Sequence, residues 1–300
     1  MTKIRSRDSS MIDDRRGQSS GGGGLGGLGG LGGGFPGGMK AGGGLLGIII
    51  LIAAVVLPKL LGAEGGSPGL STGNASQSAD SADGTCSSDL EQVACGATID
   101  VQTYWETALP QFFGTTYQET KTVFFTGNVG TGCGNATSQT GPFYCPLDNL
   151  VYIDLEFMQQ LEQQLIGEPT DLAEQYIIAH EYGHHVQNVL GTNAEVQQAQ
   201  QNDPSRANQY SVALELQADC FAGAWVADIA ARDQLDAASE IGEAVNAAEG
   251  VGDDRIQEKM QGRIDPESWT HGSSEQRQQW FMRGFDTRDP RNCNTFDEVI

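Results

Sequence analysis

Polarity changes character several times along the chain, and each change marks an element. Residues 1–20 are polar and charged, and they run into a glycine tract, 21–44, interrupted only by Leu25, Leu28, Leu31, Phe35, Pro36, Met39, Lys40 and Ala41. So few apolar side chains cannot offset the entropy of ordering the backbone, so residues 1–44 are expected to form a disordered head. An uncharged run follows, Leu45 to Leu57 (LLGIIILIAAVVL). Extended from Gly42 to Leu61, with Lys59 reaching the headgroups, it spans roughly twenty residues, enough for one bilayer-crossing helix. Residues 45–62 are therefore expected to be a transmembrane anchor, and residues 63–84, rich in Ser, Gly, Ala and Asp, a flexible linker. A cleaved signal peptide would share the apolar run, but Leu61-Gly62-Ala63 is a poor small-x-small cleavage site and no lipobox cysteine follows.

From residue 85 onward the pattern is that of a single folded domain. Apolar and polar positions alternate over Asn149-Leu150-Val151-Tyr152-Ile153-Asp154, and Thr122 to Thr126 is rich in β-formers, so a small sheet is expected. After Asp171 the period lengthens to that of helices. One helix begins at Thr170 or Asp171, where Glu174 stands in the position that completes a capping box, and Gly191 stops it. A second covers Ser205 to Ala231, with Val212, Leu216, Ala218, Phe221, Ala222 and Trp225 interleaved with polar residues. Ser273-Ser274-Glu275-Gln276 is a capping-box start for a third, ending near Phe285. The expected class is α+β, a small sheet followed by a mainly helical region.

Charge sharpens the organisation. The chain carries 17 Lys and Arg against 39 Asp and Glu, a formal net charge of −22. Seven of those basic residues (Lys3, Arg5, Arg7, Arg15, Arg16, Lys40, Lys59) but only three acids precede Ala63, so the remainder is more acidic still. Such a surface repels phosphate backbones, which excludes nucleic acid as a partner. Basic residues before the apolar run and acids after it put the amino terminus in the cytoplasm and the domain outside it, by the positive-inside rule. Six cysteines, Cys86, Cys95, Cys133, Cys145, Cys220 and Cys293, all follow the run, and none forms a C-x-x-C pair, which favours disulfides in an oxidising compartment. Sequence proximity pairs Cys86 with Cys95 and Cys133 with Cys145, leaving Cys220 with Cys293. Nothing in the sequence sets an oligomeric state.

Within the first helix stands His180-Glu181-Tyr182-Gly183-His184. Residues four apart share a helical face, so both imidazoles can reach one ion while Glu181 borders the same point. Such a site suits a single Zn2+ with an open position for water. A metzincin would continue with glycine at 187 and histidine at 190, but Gln187 and Leu190 stand there. A carboxylate from the second helix is the alternative third ligand, and Glu215 fills that place. Asp219, one turn on, can accept the N–H of a ligand histidine and fix its tautomer. Two acids among Leu214, Leu216 and the apolar residues after Asp219 would be costly to bury without a cation. His185 points away from this face, towards Ile178 and Val189, in a structural role. His271, just before the third helix, is a candidate for stabilising an oxyanion. Tyr182 and Tyr210 are weaker candidates for that role, Tyr182 fitting the core better.

The stretches GCG (132–134), GPFYCPLDNLVYIDLEF (141–157), IIAHEYGHHVQ (177–187), ELQADCFAGAW (215–225), GDDRIQ (252–257) and THGSSEQRQQWFMRGF (270–285) together resemble the bacterial putative neutral zinc metallopeptidase family, membrane-anchored proteins with a glycine-rich head. That resemblance implies a zincin-like fold, zinc at His180, His184 and Glu215, and catalysis by Glu181, and it strengthens the case for His271. By analogy with zincins, the Leu150 to Asp154 strand is expected to be the sheet edge to which an extended peptide adds. The expected activity is zinc-dependent hydrolysis of a peptide or protein substrate at the outer face of a membrane. Two alternatives stay open: a metal-stabilised envelope scaffold or partner-binding protein that cleaves nothing, and an amidase acting on cell-wall peptides.

Overall fold

The computed structural model describes residues 2–17, 84–167, 169–235 and 240–300. The anchor expected at 45–62 and nearly all of the 63–84 linker lie outside the described residues. Among the described residues no helix is long and apolar enough to cross a membrane.

The described chain runs β1 (Ile12–Asp14), α1 (Asp89–Phe113), β2 (Thr122–Phe124), β3 (Asn128–Thr131), β4 (Gly134–Thr137), β5 (Phe143–Cys145), β6 (Leu150–Ile153), α2 (Leu155–Leu165), α3 (Asp171–Leu190), α4 (Thr192–Asn202), α5 (Ala207–Ala231), α6 (Ile241–Gly250), α7 (Asp253–Gln261), α8 (Ser274–Thr287) and α9 (Phe296–Val299), with short 3-10 turns between some of them. It is a mixed α and β fold, mostly helical, with a small sheet.

Four strands pair in the order β1-β2-β6-β5, the first three parallel and β5 antiparallel to β6, while β3 and β4 form a separate hairpin. Both faces of the central strands are covered. Period-two alternation sends Val123 and Tyr152 into a small cluster with Phe125, Val129, Phe143 and Cys145, and sends Phe124, Val151 and Ile153 into the main core. On that second face lie α1 and α3, and behind them α5 and α8, with Trp105, Trp225, Tyr176, Phe221 and Phe281 fully buried between the layers. Each such side chain contributes on the order of 1.5–3 kcal/mol by leaving water.

All three cysteine pairs form as sequence proximity suggests: Cys86–Cys95 at the start of α1, Cys133–Cys145 between the β3–β4 turn and β5, and Cys220–Cys293 between α5 and the carboxy-terminal segment.

Three expectations need correction. The first is the disordered head: residues 2–17 are ordered against the domain and supply β1, because Ile4 and Ile12 bury in the main core and several Arg residues meet acids there. The second concerns the start of α3, where Thr170 is the cap, its hydroxyl accepting from the Ala173 amide, and the Glu174 carboxylate instead accepts from Gln159 Nε2. The third is the sheet edge: β6 is interior, paired on both sides, and the free edge beside the helices is β5.

Candidate metal centre

The α3 helix carries His180, Glu181 and His184, and α5 lies across it. Gly183 permits the approach: a Cβ at that position would sit 3.0 Å from the Ala218 backbone, so a larger residue would force the two helices apart. The crossing sets Glu215 opposite the two imidazoles, with Oε2 at 3.2 Å from His180 Nε2 and Oε1 at 3.5 Å from His184 Nε2. One donor atom from each of the three residues lies within 4.8 Å of the others.

Both imidazoles are oriented from behind. The Nδ1 of His180 lies 2.8 Å from Asp219 Oδ1, and the Nδ1 of His184 lies 2.8 Å from Gln187 Oε1. Each acceptor holds the N–H of Nδ1 and so turns Nε2 towards Glu215, where a metal ion would take the place of the Nε2 proton. Gln187 is itself held by its amide, which donates to the Leu214 carbonyl and to Gln217 Oε1 on α5. Two imidazole nitrogens and one carboxylate oxygen converging on a point make a group that could hold a metal ion, and zinc suits such donors, so the residues present fit that ion.

Asp219 is the hub of a buried network. It also accepts from Tyr176 Oη at 2.5 Å and from Arg277 Nε and Nη2 at 2.7 and 2.8 Å. Burial opposes its charge, but Arg277 and His180 outweigh burial and hold its carboxyl below the ordinary range. Burial likewise opposes a charged His180, yet Asp219 and Glu215 lift its pKa to about 10. Glu215, though buried, is held well below the ordinary carboxylate range by His184 and His180. The pocket's fixed charges therefore favour a cation between Glu215 and the imidazoles.

Glu181 faces the same cleft and is buried, which raises its pKa against the opposing pull of His184 and His180; the Tyr144 backbone on β5 hydrogen-bonds to it. The cleft has a volume of about 390 Å³ and reaches from the metal centre along β5, with Pro142, Phe143, Pro146, Leu147, Leu161 and Ile177 in its walls. His271 also lines it. Its loop is built around Asp253 at the start of α7: Oδ2 accepts the backbone amides of Thr270, His271 and Gly272, and Oδ1 lies 3.3 Å from His271 Nδ1.

The fold thus gathers His180, Glu181, His184, Glu215, Asp219 and His271. His185 is apart, bonded through Nδ1 to Tyr144 Oη and through Nε2 to the Gln118 carbonyl. Tyr182 is in the core, its hydroxyl 3.0 Å from Thr122 Oγ1, and Tyr210 lies under the Arg206 guanidinium rather than in the cleft wall. Sequence reasoning missed Arg277, Asp253, Tyr176 and the orienting role of Gln187. For Arg277 a signal existed, because it shares a helical face with Trp280, Phe281 and Gly284, and an arginine on an apolar stripe needs a buried acid. Tyr176 stands one turn before His180 on the same face.

The family described as "Putative neutral zinc metallopeptidase" matches residues 1–296, and the chain belongs to it. The chain is similar to the uncharacterized protein YpfJ of Escherichia coli (strain K12), 41% identical over 297 residues and covering 98% of each chain. It is also 45% identical over 213 residues to the uncharacterized protein Rv2575 of Mycobacterium tuberculosis (strain ATCC 25618 / H37Rv), covering 68% of this chain and 69% of that one. No solved structure matches.

Proposed function

We propose that the protein hydrolyses peptide bonds outside the cytoplasm, using one zinc ion held by His180, His184 and Glu215 with Glu181 as general base. The observation that carries this reading is the double orientation of the imidazoles by Asp219 and Gln187, which turns both Nε2 atoms towards Glu215 with a buried carboxylate beside them. A metal-stabilised scaffold has no need of that extra acid. The three disulfides support the oxidising compartment, and the apolar run at 45–62 supports attachment to a membrane.

Zinc bound here would supply Lewis acidity for the scissile carbonyl and for the attacking water. The remaining work falls to the chain. An extended peptide adds along the free edge of β5 and places an apolar side chain against Phe143, Leu147, Leu161 and Ile177. Glu181, whose raised pKa makes it a stronger base than an exposed carboxylate, takes a proton from the attacking water and returns it to the leaving amine. His271, held through Nδ1 by Asp253, faces the carbonyl oxygen with its Nε2 edge and steadies the negative charge that develops there.

The test is hydrolysis of unfolded proteins, of short peptides with apolar residues, and of muropeptides by the purified chain, with and without chelator. Glu181→Gln should retain zinc and lose about 10²- to 10⁴-fold in rate. Undiminished turnover by Glu181→Gln would remove the base from the mechanism, and cleavage confined to muropeptides would assign the amidase reading instead.

A further inference from the structure

Residues 2–17 make contacts with the domain that a loosely associated tail would not. As β1, Ile12 to Asp14 pair in parallel register with Thr122 to Phe124, and the ladder is extended by Thr122 N to the Met11 carbonyl (3.0 Å) and Arg15 N to the Phe124 carbonyl (2.8 Å). Nearer the amino terminus, Lys3 N donates to the Gln234 carbonyl and Ser6 N to the Gln92 carbonyl. The buried Gln175 amide, on the metal-bearing helix five residues before His180, donates to the Ile4 carbonyl at 2.7 Å. Arg5 pairs with Asp171, the first residue of that helix, at 2.6 Å, and Arg16 pairs with Asp14 and Glu91.

The domain is shaped to receive this segment. A Cβ at Gly96 in α1 would stand 2.7 Å from the Arg5 Cα and 2.8 Å from its nitrogen, so only glycine lets the head lie on the helix. Ile4 and Ile12 complete the main core, and without them Gln175 would lose a partner inside it. Charge is complementary as well, since a basic head meets a strongly acidic domain.

Hydrogen bonds of this kind cannot form across a bilayer. A single crossing by residues 45–62 would put residues 2–17 and 84–300 on opposite faces, and the observed sheet would then be impossible within one chain. We propose that the head is a constitutive strand of the metal-bearing domain and lies in the same compartment as the metal centre, bracing the amino-terminal half of α3. The arrangement replaces the cytoplasmic amino terminus expected from charge asymmetry with one in which both ends of the intervening segment, 18–83, lie on one side. It does not depend on peptidase activity.

Two measurements on the full chain test it. All six native cysteines are in disulfides and none is free, so one introduced thiol is the only reactive one. Ser10→Cys in the head and Gln261→Cys in the domain both fall at exposed positions. Producing cells, stripped of any outer wall, are treated with a membrane-impermeant maleimide before and after permeabilisation. The two thiols should behave alike, both labelled in intact cells or both only after permeabilisation. Labelling of Gln261→Cys in intact cells with Ser10→Cys labelled only after permeabilisation overturns the proposal, as does the reverse. In the purified wild-type chain, carbodiimide should join Lys3 to Asp233, whose Nζ and Oδ2 lie 3.6 Å apart at the surface. Recovery of the joined peptide supports the packing, whereas recovery of the two peptides only as separate species contradicts it.

Discussion

Glu162 on α2 is buried in the interior, and neither of its carboxylate oxygens has a hydrogen-bond partner among the described residues. Burial first, and then the nearby charge of Glu174, push its pKa up to about 9. At neutral pH the native protein therefore holds a proton there that the unfolded chain, with an ordinary carboxyl near 4.5, releases. Since the native state binds more protons between those values, stability contributed by the protonated acid is fully present below the unfolded pKa and falls as pH rises towards 9. Each unit costs about 1.4 kcal/mol, so the 3.5 units between 4.5 and a pH near 8 set an upper limit of about 5 kcal/mol. Glu162→Gln keeps the shape and removes the titration. Urea denaturation of both chains should give similar stability near pH 5, with the variant gaining progressively as pH rises and ahead by several kcal/mol near pH 8. A difference that stays constant across that range would show that Glu162 is paired or hydrated, and the reasoning would fail.

Other outcomes follow from the same structure. Arg277→Met should cost about 3–5 kcal/mol in denaturant midpoint measurements, because Asp219 would keep a buried charge with its cationic partner gone; a loss below about 1 kcal/mol would place the balancing charge elsewhere. Replacing Cys220 and Cys293 together by serine opens a cross-link spanning 73 residues and should lower stability by about 4 kcal/mol, read by calorimetry under non-reducing conditions. An unchanged melting temperature would refute that.

The sequence carried the helical half of this protein plainly. His180 and His184 read as one face because the period of α3 is unbroken, and Glu215 and Asp219 stand out as two acids in an apolar stretch of α5. What escaped were contacts between elements distant in sequence. Gln187 looks like an ordinary polar residue until α5 lies across it, and Asp253 reads as a first-turn helix acid although its carboxylate organises the His271 loop. The strand order could not be read either: β6 alternates in polarity, yet it lies between β2 and β5, and β1 arrives from more than a hundred residues upstream to pair with β2, so the edges of the sheet are β1 and β5. Composition misjudged residues 2–17 for a related reason. Their few apolar residues cannot order the segment alone, and the order comes from a surface built by α1, β2 and α3.

The convergence of two helices on one ion is tested most directly by metal analysis of the purified chain after exhaustive dialysis against trace zinc. The wild type should retain about one zinc per chain, and Glu215→Ala, folded by circular dichroism, should lose its zinc at concentrations that saturate the wild type. Equal zinc content and affinity in the two proteins would contradict Glu215 as a ligand, and the account of the centre with it.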